Sequence, residues 1–125
     1  MAMSALKFET SIPVAAPAGP AIDLVHLSRQ TMGDEALETE LLGLFAKQAA
    51  LVTARLAQDS AAVELCRADL AHTLKGSARS VGAHRVAAAA EAYETAAREG
   101  GHPDLATLEG AVAEACAVIA DLVGA

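Results

Sequence analysis

The sequence predicts an all-α fold: an antiparallel four-helix bundle with a short additional N-terminal helix. Three observations point there. The chain is 54% hydrophobic yet holds only two Phe, one Tyr and no Trp, so its apolar content is mostly Ala, Leu and Val, which suits closely packed helices better than strands. Apolar residues recur at three-and-four spacing through four long segments. The breaks between those segments are short and carry helix-stop and cap residues, the pattern of helices that fold back on one another. At 125 residues the chain makes one ordinary domain. A domain of this size buries about two-thirds of the surface its unfolded chain exposes, so it needs neither a metal nor a disulfide to stay folded.

Residues 1–21 read as a flexible lead-in, because Ile12-Pro13-Val14-Ala15-Ala16-Pro17-Ala18-Gly19-Pro20 combines helix breakers with small side chains. The bundle domain then spans residues 22–125. Asp23 caps a short helix carrying Leu24 and Leu27, and Met32-Gly33-Asp34 is a stop followed by a new cap. From Glu35 to about Gln58, the residues Leu37, Leu41, Leu44, Phe45, Gln48, Val52 and Leu56 fall at helical spacing. Asp59-Ser60 punctuates, and a second long helix runs from Ala62 to Val81, ended by Gly82 in the left-handed conformation. The third runs from Ala83 to Glu99 with Val86, Ala90, Tyr93 and Ala97 on one stripe, closed by Gly100-Gly101. Pro103 fits the first turn of the last helix, where Leu105, Leu108, Val112, Ala115, Ile119 and Leu122 form a lengthwise seam.

Nine basic against sixteen acidic residues give a formal charge of −7, which argues against a chain that neutralises nucleic-acid phosphates. There is no apolar run of about 18 residues, and Glu9 with the early prolines interrupts any signal peptide. The expectation is a cytoplasmic protein without a membrane partner. Cys66 and Cys116 form no CxxC pair and read as free core thiols in a reducing compartment. His26, His84 and His102 show no ligand spacing, so they read as surface residues and no metal is expected. No phosphate-cradling glycine loop of the common ATP-binding types is present, and Tyr93 reads as packing.

His72 stands apart. On a helical wheel, Val63, Leu70, Leu74, Ser77 and Val81 share the core side of the Ala62 to Val81 helix. His72 lies nearly opposite, with Ala68, Lys75, Gly76 and Arg79 within about 60° of it. A lone histidine is most often structural or merely solvated, but this one is flanked by a cation three residues on and an absent side chain four residues on. A phosphoryl group on imidazole is dianionic and gains charge-assisted hydrogen bonds from a nearby ammonium. A glycine inside a helix costs about 1 kcal/mol relative to Ala, which close approach of another surface to the ring would offset.

The segment Ala71-His72-Thr73-Leu74-Lys75-Gly76-Ser77-Ala78, followed by Val81-Gly82-Ala83 and by Ala92-Tyr93-Glu94, resembles the signature of histidine-containing phosphotransfer (HPt) domains. That signature is a histidine, a lysine and glycine three and four positions on, small residues after them, and a second glycine that ends the helix. The likeness extends back through Gly33-Asp34-Glu35 to Ile22-Asp23-Leu24 and covers roughly residues 22–123.

The resemblance implies that His72 accepts and donates a phosphoryl group through its outward nitrogen. It implies that Lys75 holds the phosphoryl oxygens, that Gly76 leaves room for a partner, and that Glu94 orients the imidazole from the next helix. Arg79 stands where the family often has a small residue, and it adds charge to the site, affects partner choice or is simply solvated. The expected function is phosphotransfer between aspartates of receiver domains in a two-component phosphorelay, with no autonomous kinase activity and no cofactor bound by this chain. Mg²⁺ belongs to the receiver. The expected partners are response-regulator receivers and a hybrid histidine kinase, met by a monomer with Leu65 and residues of the preceding helix as docking contacts. Two alternatives stay open: a helical adaptor that never carries phosphate, and a phosphoacceptor served directly by an ATP-dependent kinase. Met1 with a short lead-in leans toward a free-standing protein.

Overall fold

The computed structural model describes residues 19–124, so most of the lead-in lies outside the described residues. Five helices and no strand occupy them: α1 (Leu24–Thr31), α2 (Glu35–Leu56), α3 (Ala61–Val81), α4 (His84–Arg98) and α5 (Leu105–Leu122). Four begin on a capping side chain: Asp23, Asp34, Ser60 and Asp104 accept from the backbone N–H of His26, Leu37, Val63 and Thr107 at 2.9–3.2 Å. Each such cap is worth about 1 kcal/mol. Asp104 starts α5 two residues after His102, which leaves Pro103 just before the cap rather than in the first turn. The aspartate wins because it satisfies an N–H that would otherwise be orphaned.

α2 packs on α3 and α5, and α4 packs on the same two, so the four long helices enclose one core. Leu27, Leu56, Leu74, Val86 and Leu108 are its largest fully buried side chains, each worth roughly 1.5–3 kcal/mol of burial. α2 turns a different face inward than its leucines suggest. Leu42, Phe45, Ala49, Val52 and Leu56 are buried at strict three-four spacing, while Leu37 and Leu44 are exposed. Apolar residues cover more than half of this helix, so periodicity alone could not choose the face; the positions of α3 and α5 do. Leu122 is likewise exposed in the last turn of α5, and Ser77 is only half-buried, while Ala71 and Ala78 are the fully buried small residues of α3.

Two devices fix the ends of the bundle. Arg67 of α3 donates through Nη1 to the Leu56 carbonyl at 2.8 Å and to the Tyr93 hydroxyl at 3.0 Å, tying the end of α2 to α4. Tyr93 is therefore a packing residue with its hydroxyl satisfied. At the other end α1 is pinned to the α3–α4 turn. Asp23 N–H donates to the Gly82 carbonyl at 2.8 Å, and Asp23 Oδ2 meets His84 Nε2 at 3.2 Å. The His26 backbone N–H foremost, then His84, hold the Asp23 carboxyl below the usual carboxylate range. His26 packs edge-on to His84, with ring centroids 5.3 Å apart. These two histidines are parts of a joint rather than plain surface residues.

Gly82 and Gly76 belong to the same helical stretch and should respond oppositely to alanine. Gly82 has φ +81°, and a Cβ there would lie 2.7 Å from the Asp23 carbonyl oxygen. A Cβ at Gly76 meets nothing within 4 Å. Gly82→Ala should destabilise by about 2 kcal/mol or more, from the left-handed backbone plus the clash. Gly76→Ala should stabilise by about 0.5–1 kcal/mol. Urea unfolding of both variants checks the pair of signs.

Candidate functional site

The α3 face opposite the core brings His72 to the surface, with its side chain 62% exposed. α4, returning beside α3 after the Gly82 turn, places Glu94 against it. His72 Nδ1 and Glu94 Oε2 are 3.0 Å apart. Glu94 is buried and held well below the usual carboxylate range, to about 2, by the Lys75 ammonium foremost, then by Arg98 and His72, against the opposing pull of burial. An ionised carboxylate only accepts, so in the neutral ring the proton of this contact sits on Nδ1. Nε2 keeps its lone pair. The arrangement thus presents an imidazole with one nitrogen anchored and the other available as a nucleophile.

Lys75 is not aimed at open solvent. Its side chain is only 14% exposed, and Nζ lies 2.9 Å from Glu94 Oε1. Gly76 opens the surface one turn from the ring, with no neighbour near its missing Cβ. Arg79 is drawn elsewhere: its guanidinium meets Glu91 Oε1 at 3.4 Å, in a pair exposed on both sides. Among the described residues no hydrogen bond or ion pair joins it to His72. Such an exposed pair contributes little.

One member of the group escaped the reading of the sequence. Arg98, one turn after Glu94 on α4, donates through Nε to Glu94 Oε2 at 3.0 Å, and its Nη2 reaches Asp69 Oδ1 of α3 at 3.4 Å. The i, i+4 spacing of Glu94 and Arg98 was the available signal.

The family described as Hpt domain matches residues 35–122, from the first residue of α2 to the last of α5. That span is most of the chain. This protein belongs to the Hpt domain family. Curated proteins and solved structures yield no match to it. Hpt domains are phosphocarrier modules of two-component phosphorelays, work by histidine phosphotransfer and interact with receiver domains. α1 lies before the matched span.

The remaining candidates of the Hpt chain fall outside this group. Cys66 and Cys116 are free thiols, and both are half-buried rather than in the core. Cys66 Sγ turns back to the Ala62 carbonyl on its own helix, while burial against α2 pushes the Cys116 thiol up. The small side chains that do fill the core near them are alanines, Ala71 on α3 and Ala115 on α5. Among the described residues no three His, Cys, Asp or Glu side chains are grouped to hold a metal ion, and no helix is long and apolar enough to cross a membrane.

The ionised Glu94 makes the stability of the Hpt fold pH-dependent in one direction. Its folded-state value is about 2 against an ordinary 4.5. The contribution is therefore fully present above about pH 4.5 and disappears as pH falls through about 2. Glu94→Gln should melt below the unaltered protein near pH 7, and the gap should close between about pH 4.5 and pH 2, as read by thermal unfolding across that range.

Proposed function

We propose that this Hpt domain carries a phosphoryl group on Nε2 of His72, taking it from the aspartyl phosphate of one receiver domain and passing it to the aspartate of another. The observation that carries the reading is the 3.0 Å contact of His72 Nδ1 with an ionised Glu94, beside a ring that is otherwise exposed. In the forward step the Nε2 lone pair attacks phosphorus, the N–P bond forms, and the P–O bond to the aspartate breaks with the electron pair leaving on its carboxylate. The ring becomes cationic and keeps its Nδ1 proton, which Glu94 accepts more strongly as the charge develops. The reverse step returns the group.

Lys75 holds the phosphoryl oxygens once the group is in place, Gly76 gives the receiver access, and Arg79 is a solvated surface residue. Mg²⁺ belongs to the receiver's site, and no cofactor is bound by this chain. The domain spans residues 22–125 as an antiparallel four-helix bundle with α1 added. This arrangement is supported by short connections and by the packing of each long helix on its sequence neighbour. The partners are response-regulator receivers and a hybrid kinase that carries one, met by a monomer in the cytoplasm. Leu65 is 88% exposed and stands seven residues before His72, on the same face of α3. Leu51 is exposed on α2, the preceding helix. These are the docking contacts.

Incubation with phosphorylated receiver domains should leave acid-labile, base-stable phosphate on the chain. His72→Gln should abolish it with melting nearly unchanged, because an exposed side chain contributes little to stability. Labelling that persists, or that maps to His84, overturns the assignment.

Access and energy supply have their own tests. Gly76→Gln should fold normally and transfer more slowly, since the open position then holds a long side chain beside the ring. The purified chain with ATP and Mg²⁺ alone should remain unlabelled.

A further inference from the structure

The two oxygens of Glu94 are held differently. Oε2 receives two directed hydrogen bonds, from His72 Nδ1 and from Arg98 Nε, and Arg98 Nη2 lies 2.9 Å from the same oxygen. Oε1 has Lys75 Nζ at 2.9 Å, yet no well-directed hydrogen bond reaches it. Of the two cations, the arginine is the one joined to Glu94 by a directed hydrogen bond. Its Nη2 also lies 3.4 Å from Asp69 on α3, three residues before His72, in a contact exposed on both sides.

If His72 is the phosphoryl carrier, as proposed above, Lys75 faces competing demands. At rest its ammonium lies on Glu94. With a dianionic phosphoryl group on His72, the same ammonium is wanted on the phosphoryl oxygens. Withdrawing it would leave Glu94 as a buried carboxylate stripped of one cation, which is costly unless another remains. We propose that Arg98 is a positioning residue of the phosphotransfer reaction: it is the standing counter-ion of Glu94, and its presence allows Lys75 to leave for the phosphoryl group without loss of the Glu94–ring hydrogen bond. Arg98 touches neither the ring nor the incoming group. It acts through Glu94, keeping that carboxylate ionised and in place while the imidazole becomes cationic.

This role separates from a merely structural one by the state in which it matters. In the resting protein Lys75 and Arg98 share the task, so loss of Arg98 leaves Lys75 on Glu94 and the Nδ1–H tautomer intact. In the phosphorylated protein Arg98 is the one cation besides the ring that remains for Glu94. Without it, either Lys75 stays on the carboxylate and the phosphoryl group goes unheld, or the carboxylate loses its charge partner and the ring its anchor. Both outcomes slow phosphoryl uptake.

The test uses the full chain and potassium phosphoramidate, a small donor whose P–N bond breaks as Nε2 attacks and whose nitrogen leaves as ammonia. No receiver is needed. Arg98→Met should take up phosphate about tenfold more slowly or worse, the scale of one hydrogen bond to a charged group, and Arg98→Lys should recover most of the rate. The ¹⁵N resonances of the His72 ring should match those of the unaltered protein at rest and differ from them after phosphorylation. If Arg98→Met takes up phosphate at the unaltered rate, with unaltered ring resonances in both states, the proposal is overturned. It is equally overturned if the resting resonances change as much as the phosphorylated ones, or if Arg98→Lys is no better than Arg98→Met. Phosphate found on other residues of the unaltered protein with none on His72 would strike the carrier assignment instead, a result that the ring resonances and the site of labelling keep distinct.

Discussion

Among the described residues Glu94 is the one charged side chain that is buried, and the geometry around His72 depends on how that charge is met. A buried carboxylate without partners is strongly destabilising. This one is surrounded by an imidazole, an ammonium and a guanidinium, the first two from α3 and the third from its own helix. The same contacts that make its burial tolerable decide which nitrogen of His72 carries the proton, where Lys75 rests, and how α4 is aligned along α3. Site and packing meet here in one electrostatic arrangement, centred on Glu94.

That alignment is set from the turn between the two helices. Gly82 ends α3 in the left-handed conformation and sends α4 directly back, with Ala83 fully buried. α1 closes against the same turn through Asp23, which approaches Gly82 too closely for any side chain. At the far end Arg67 joins the last carbonyl of α2 to Tyr93 of α4. Pinned at both ends, α3 and α4 have little freedom to slide, which keeps Glu94 opposite His72 rather than a turn away. Preorganisation of this kind is what lets a hydrogen bond favour the charge that develops during transfer.

The outer faces of α2 and α3 carry what the core does not use. Leu44 and Leu51 are exposed on α2 and Leu65 on α3, although the neighbouring three-four positions of both helices are filled and buried. An Ala-rich interior explains how this arises. Small side chains let the helices approach closely, so few large residues fit between them and some leucines are left outside. For an Hpt domain, a family that interacts with receivers, uncovered apolar surface of this kind suits a transient partner.

The amino-acid sequence alone determined the helices, their caps and stops save the start of α5, and the outward direction of His72, because those follow from local chemistry: Asp23, Asp34 and Ser60 satisfy backbone donors one turn ahead, Gly82 accepts a positive φ, and a 100° step per residue puts His72 opposite Leu74. It also displayed the spacing of His72, Lys75, Gly76 and Glu94, since three lie on one helix and the fourth on the next. What the sequence left undecided were questions of neighbours. The inward face of α2, the half-buried places of Cys66 and Cys116, the pairing of Arg79 with Glu91 and the joint of His26 with His84 depend on which helices stand beside which. Lys75 and Arg98 show the reason most clearly. Each is a solvated cation by its sequence context, and only the approach of α4 to α3 brings a buried carboxylate between them, where its charge draws both away from solvent.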